Sequence, residues 1–276
     1  MQTNNLKLMI MEYPKEFESL LNSTQETMIG LGNPNAKILI IACEPSIPED
    51  DLNGIEREIK KNKSLWLKNI KNPKLMDEWL RSFDQDFNPC KGFEYGYPNY
   101  NPLFPYYGQK NSPFTRKNGT SRSWWYYQKI IDGILKTPKP NNIDFLLNCF
   151  VTDLSAENAI NQNQTIKMKT QRSIDNRISG LFSHVFFQNF PIVIMCCGHY
   201  VKNYGVMPNE LFKVPFLGEK HDKNGEWINY HYDNGGTPKL LLHTKHLTAR
   251  RLKAKDYIAE IVGLCRLFID ENNIKL

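Results

Sequence analysis

Three polar residues stand at the ends of apolar runs or inside them, and their chemistries complement one another: Glu44 in Ala42-Cys43-Glu44-Pro45-Ser46, Asn148 in Leu146-Leu147-Asn148, and His243 after Leu240-Leu241-Leu242. A carboxylate can orient water or steady an oxocarbenium ion, a carboxamide can pair with a nucleobase edge, and an imidazole can stabilise a departing base anion. Brought together, they suit attack by water on an N-glycosidic carbon. Each also has a plainer reading: Glu44 as a loop acid, Asn148 as a cap or strand bridge, His243 as a hydrogen-bonded strand-end histidine.

The residues after His243 add a second kind of chemistry. In Thr244-Lys245-His246-Leu247-Thr248-Ala249-Arg250-Arg251, Thr248 reads as a helix N-cap, which puts Arg250 and Arg251 in the first turn. Cations there oppose the helix macrodipole by a few tenths to about 1 kcal/mol each. An anionic partner reverses that sign, so Lys245, His246, Thr248, Arg250 and Arg251 form a candidate phosphate-binding set. The alternative is a solvated charged face.

Elements must position these groups. Ala36 to Cys43, Ile143 to Val151, Pro191 to Cys197 and Lys239 to His243 are short, continuous apolar runs of the kind that parallel strands show when both faces are covered. Tyr127, Ile130, Ile131, Ile134 and Leu135 follow helical spacing, as do Ile174, Ile178, Leu181, Phe182, Val185 and Phe186. Ile258, Ile261, Val262, Cys265, Phe268 and Ile269 form the stripe of a long final helix. The sum is an α/β chain: three α/β/α layers around a central, mostly parallel four-stranded sheet. Residues 1–276 read as one domain with insertions at about 46–120 and 200–238. In such sheets ligands bind beyond the carboxyl ends of the strands, the edge where the three polar residues are expected.

Composition bounds the rest. The 276 residues are 41% hydrophobic and 23% charged, enough for a substantial core. Thirty-five Lys and Arg against 29 Asp and Glu give a net charge of +6, which permits a nucleic-acid partner without requiring one. No apolar stretch is long enough to span a bilayer and no signal sequence opens the chain, so the expectation is a cytoplasmic monomer without membrane contact. The cysteines have no CxxC spacing, and Cys43, Cys149, Cys196 and Cys197 fall in apolar runs; they read as reduced core thiols, with neither metal site nor cofactor expected. The Gly92 to Gly108 stretch, rich in Tyr and Pro, offers stacking surfaces for bases or a pinned loop, and the loop reading is favoured.

In order and spacing these motifs resemble those of the uracil-DNA glycosylase superfamily. His243-Thr244-Lys245-His246-Leu247-Thr248-Ala249-Arg250 is similar to the terminal His-Pro-Ser-Pro-Leu-Ser-Ala motif with its following Arg. Leu146-Leu147-Asn148 with Thr152 four residues on is similar to the central Leu-Leu-Asn motif, and Ala42-Cys43-Glu44-Pro45-Ser46 loosely to the water-activating loop. The resemblance covers roughly residues 30 to 260. It implies that Glu44 activates water, His243 donates to the departing base, and Asn148 reads the flipped base, with Phe114 stacking on it and Pro45 and Ser46 shaping the pocket. Lys245, His246, Thr248, Arg250 and Arg251 would hold DNA. The chain departs from the pattern at Ser46, where the classical enzymes carry a tyrosine that excludes the thymine methyl, and it lacks the cysteines of the iron–sulfur branches. The expected activity is therefore monofunctional DNA glycosylase action on a uracil-like or modified base without a cofactor. The alternatives are a hydrolase of free nucleosides or nucleotides, and a non-catalytic base-binding protein.

Overall fold

A computed structural model describes residues 12–45, 56–72, 101–103, 105, 110–113, 119–157, 164–249 and 252–276. The elements follow in chain order: α1 (Lys15–Ser23), β1 (Leu31–Gly32), β2 (Ile38–Ala42), a π-helical turn (Glu56–Lys60), α2 (Asn62–Lys71), the small pair β3 (Lys110–Pro113) and β4 (Gly119–Thr120), and α3 (Arg122–Leu135). Then come a 3-10 turn (Phe145–Leu147), β5 (Phe150–Asp153), α4 (Gln164–Arg177), a π-helical turn (Ile178–Phe182), α5 (Val185–Gln188), β6 (Ile192–Met195), α6 (Tyr200–Asn203) and α7 (Pro208–Phe212). The chain ends with β7 (Phe216–His221), β8 (Trp227–Asp233), β9 (Lys239–Thr244) and α8 (Ala254–Asn272).

The main sheet has seven strands in the order β1-β5-β2-β6-β9-β8-β7. Neighbours among β5, β2, β6 and β9 run parallel, whereas β1, β8 and β7 join antiparallel. The expectation of a four-stranded sheet is thus corrected to a seven-stranded mixed one. The three additional strands escape an apolar-run reading for physical reasons. β1 has two residues, and β7 lies almost wholly exposed. β8 buries only Ile228 and His231 and leaves its other positions half-buried, so it shows no continuous apolar run.

Register fixes the two faces. Phe150, Leu39, Val193 and Leu241 stand side by side on one face, and the rings of Phe17 in α1 and Phe186 in α5 meet Phe150 there at 5.8 and 5.4 Å. Leu240 and its partner Tyr232 belong to the other face, where Tyr232 meets Phe268 of α8 edge-on at 5.7 Å. Helix α3 packs on α8 so closely that a Cβ on Gly133 would stand 2.7 Å from Val262. Helices therefore cover both faces, and the strand residues between them are almost wholly buried.

One strand boundary matters for the site. The apolar run from Ile143 does not begin a strand: Phe145–Leu147 form a 3-10 turn, and β5 starts at Phe150. The buried Gln128 causes this. Its Oε1 accepts from the backbone N–H groups of Asp144 and Phe145 at 2.8 and 2.9 Å, pinning the segment in a turn. Asn33 N–H donates to the carbonyls of Leu146 and Cys149 and holds the turn's other end.

Candidate functional site

Connections on either side of β2 run in opposite directions: β2 leads to β5 on one side, while β6, on the other side, leads onward to β9. The carboxyl ends of β2 and β6 therefore bound a topological switch point, where open parallel sheets form their ligand crevice. Beyond β2 lie Cys43, Glu44 and Pro45; beyond β6 lie Cys196, Cys197, Gly198, His199 and Tyr200. The two sides meet. Tyr200 Oη donates to Glu44 Oε2, and the Cys43 thiol lies 3.5 Å from the Cys197 carbonyl. Burial raises the Glu44 carboxyl above its ordinary range, and the Tyr200 hydrogen bond works against that shift. The same burial and the neighbouring carboxylate push the Tyr200 phenol up. Tyr204 lies against Tyr200 with ring centroids 4.5 Å apart.

The turn after β6 also reaches β9. Gly198 N–H donates to Thr244 O at 2.9 Å, and the Gly198 carbonyl lies 2.8 Å from His243 Nε2. A carbonyl only accepts, so Nε2 carries the proton and donates. Nδ1 then accepts from Asn229 Nδ2 at 3.2 Å. His243 and Asn229 are register partners on β9 and β8, which places their side chains on one face. Burial lowers the His243 pKa, the Gly198 hydrogen bond opposes that shift, and the nearby His199 adds to it, so the ring is held neutral. Trp227 lies 5.1 Å from the His243 ring and 5.7 Å from that of His199, forming an aromatic group where β8 begins. Gly198 is required at this junction: its φ is +52°, and a Cβ would meet His246 N at 3.2 Å.

The edge holds another carboxyl, that of Asp153 at the end of β5, in register with Ala42. Its neighbour Thr152 is fastened: Thr152 Oγ1 donates to Ile29 O and accepts from Arg177. Arg177, with no solvent exposure, also donates to the backbone carbonyls of Asp153 and Met28 and to Glu26. It grips the backbone of Asp153, not its carboxyl, to which no described residue donates a hydrogen bond. Burial pushes that carboxyl up to about 7; Arg177 pulls the other way, while Glu58 and Glu44 add to the rise.

Glu44 and His243 thus lie on one edge, joined through the 198–200 turn, with Pro45 buried beside Glu44. Asn148 does not join them. It is exposed and caps the 3-10 turn at the amino end of β5, a strand's length from Asp153, because Gln128 delays the start of the strand. The helix-start reading of the basic segment is also corrected. Helix α8 begins at Ala254 with Lys253 as its cap, so Thr248 is not the N-cap of that helix. The chain turns instead: Ala249 N–H donates to His246 O, and Lys245 N–H is taken by Tyr257 Oη at 2.8 Å. Helix geometry starts where Ala254, Tyr257 and Ile258 reach the core. Thr248 Oγ1 pairs with His246 Nδ1 at 2.8 Å, and Lys245 Nζ pairs with Glu226. Ser46, Phe114, Arg250 and Arg251, with most of the Gly92 to Gly108 stretch, lie outside the described residues.

Sequence reading did not find Tyr200, Trp227, Asn229 or Asp153. A signal existed for two of them. Gly198-His199-Tyr200 directly follows the third apolar run, and Asp153 follows Phe150-Val151-Thr152. Trp227 and Asn229 gave none, because β8 falls in a stretch read as an insertion. A cleft of about 230 Å³ between Pro14, Pro34, Lys37, Phe186 and Phe190 lies at the opposite, amino edge of β2, away from these groups. Among the described residues no cluster of His, Cys, Asp and Glu has the geometry of a metal site, and no helix is long and apolar enough to cross a membrane. No protein-family model matches this chain, and no curated protein matches it in sequence.

Proposed function

We propose that this chain is a monofunctional DNA glycosylase, a divergent relative of the uracil-DNA glycosylases that hydrolyses the N-glycosidic bond of a flipped uracil-like or modified base. The observation that carries this reading is the meeting of Glu44 and Tyr200 across the switch-point crevice. Tyr200 engages one carboxylate oxygen and fixes its orientation, leaving the other to align water or face an oxocarbenium ion. Tyr200 and Tyr204 on one side, and Trp227 and His199 on the other, offer aromatic faces to an extruded base, each stacked contact being worth about 1–3 kcal/mol. His243 acts in its neutral form. Its Nε2 proton is committed to Gly198 O, so donation to a leaving base requires the base oxygen to take the place of that carbonyl.

That commitment favours a second reading, in which the same edge binds a base without cleaving it. A single assay separates the two. End-labelled oligonucleotides carrying uracil, 5-hydroxymethyluracil, hypoxanthine or xanthine are incubated with the protein and treated with alkali to break abasic sites. The glycosylase reading expects cleavage that falls by roughly 10²- to 10⁴-fold in Glu44→Gln, the range for loss of one acid–base group. Binding without cleavage, unchanged in Glu44→Gln, supports the reader. Absence of any oligonucleotide binding at low salt overturns both.

A further inference from the structure

Both walls of the switch-point crevice begin with thiols. Cys43 is the first residue past β2, and Cys197 follows Cys196 past the end of β6. The parallel ladder pairs Ile41 with Met195 and continues through a hydrogen bond from Cys196 N–H to Ile41 O at 2.8 Å, which sets Cys43 opposite Cys197. Cys43 Sγ lies 3.5 Å from Cys197 O, Cys197 Sγ lies 3.5 Å from Ile41 O, and the two thiols hydrogen-bond to each other. Facing residues on neighbouring strands stand about 4.8 Å apart, inside the Cα separation of about 4.4–6.8 Å that a disulfide spans.

We infer that Cys43 and Cys197 are a redox-active pair, in which a hydroperoxide oxidises Cys43 and Cys197 then closes a reversible disulfide between the two walls of the crevice. The Cys43 sulfur attacks the peroxide oxygen and gives a sulfenic acid, releasing an alcohol, or water when the oxidant is hydrogen peroxide. The Cys197 sulfur then displaces the hydroxyl group of that acid, which leaves as water with the proton of the Cys197 thiol. The two thiols thereby give up two electrons and two protons, and the peroxide is the species reduced.

Exposure separates the roles. Cys43 is half-buried, so solvent reaches it, whereas Cys197 is 2% exposed and burial raises its thiol. Cys43 is therefore the sulfur that meets the oxidant, and Cys197, held against it, is the one that resolves the sulfenic acid. The reaction is selective among the described cysteines. Cys149, Cys196 and Cys265 are buried, and the Cys196 thiol pairs with Thr244 of β9 instead of turning to Cys43. The bond falls directly before Glu44 on one wall and shortly before Tyr200 on the other, so it ties together the segments whose side chains meet across the crevice.

The test uses the reduced full-length chain, treated with hydrogen peroxide at mildly alkaline pH. Remaining thiols are blocked with iodoacetamide, and the digest is read by mass spectrometry without reductant. The expected result is a Cys43–Cys197 cross-linked peptide, two hydrogens lighter than its reduced parts, with loss of two of the six thiols and their recovery in dithiothreitol. Cys196→Ser and Cys90→Ser, the latter outside the described residues, are expected to keep the cross-link. Cys197→Ser is expected to leave a sulfenic acid on Cys43 that dimedone traps, and Cys43→Ala to leave the remaining thiols reduced under the same exposure. Retention of all six thiols, a link from Cys43 to Cys90 or to a second chain, or a link lost in Cys196→Ser overturns the inference. So does dimedone labelling of wild-type Cys43 with no cross-link formed. Thermal melting checks that each variant is folded, and the wild-type cross-link decides the question if Cys197→Ser is not.

Discussion

At the two ends of β5 the same kinds of polar group stand in opposite states. At the amino end, Gln128 is fully buried and fully used: Nε2 donates to Asp132 and Asp144 at 2.7 and 2.8 Å, and Oε1 accepts two backbone N–H groups. Burial raises both carboxyls there, Asp132 to about 6, but each has an amide donor that works against the rise. At the carboxyl end, the half-buried Asp153 is shifted upward as well, and no described residue gives its carboxyl such a donor. A polar residue that serves the fold is saturated by the fold, whereas one that serves a ligand is left with valence to spare. Arg177 belongs to the first kind although it borders the second, since its hydrogen bonds to described residues go to backbone carbonyls, Thr152 and Glu26.

This contrast can be broken by removing saturated groups and sharpened by removing the open one. The largest effect is expected from Arg177→Met, which leaves Glu26 without its ion pair and several acceptors without donors: a loss of about 3–5 kcal/mol, read by chemical denaturation. Gln128→Leu keeps the volume but orphans the N–H groups of Asp144 and Phe145, and should cost about 2–3 kcal/mol in the same measurement. A loss below about 1 kcal/mol in Gln128→Leu would show that its hydrogen bonds are not what fixes the start of β5, and one as small in Arg177→Met would show that the buried guanidinium does not hold the strand's carboxyl end. Asp153→Asn should act in the other direction. The folded-state carboxyl titrates at about 7 against an ordinary 3.8, so the folded wild type holds more protons between those values and loses stability as pH rises through that window. The Asn variant has no such loss. Its melting temperature should exceed that of the wild type above pH 7, by roughly 2–4 °C for each kcal/mol recovered, with the gap closing below pH 4. A gap that does not change with pH would mean that the carboxyl is not shifted.

Much of the architecture was legible because continuous apolar runs report burial on both faces. The cores of β2, β6 and β9, the spacing of α3 and the stripe of α8 all lie where their side chains indicated. The run from Ile143 to Val151 misled for a related reason. Burial is common to a 3-10 turn and a strand, and only the hydrogen bonds from Gln128, distant in sequence, separate them. Thr248 followed the local pattern of an N-cap, yet Lys245 N–H was taken by Tyr257, and the helix waited for Ala254.

Sequence alone thus determined the α/β class, the apolar strands and the presence of Glu44 and His243 at strand ends, because these rest on local periodicity and burial. Tertiary structure decided which polar groups meet. Strand order placed the switch point between β2 and β6, the antiparallel return of β8 brought Trp227 and Asn229 beside His243, and the late start of β5 put Asp153 rather than Asn148 at the edge. Those outcomes depend on hydrogen-bond partners far apart in the chain, whose pairing is fixed only once the sheet has formed.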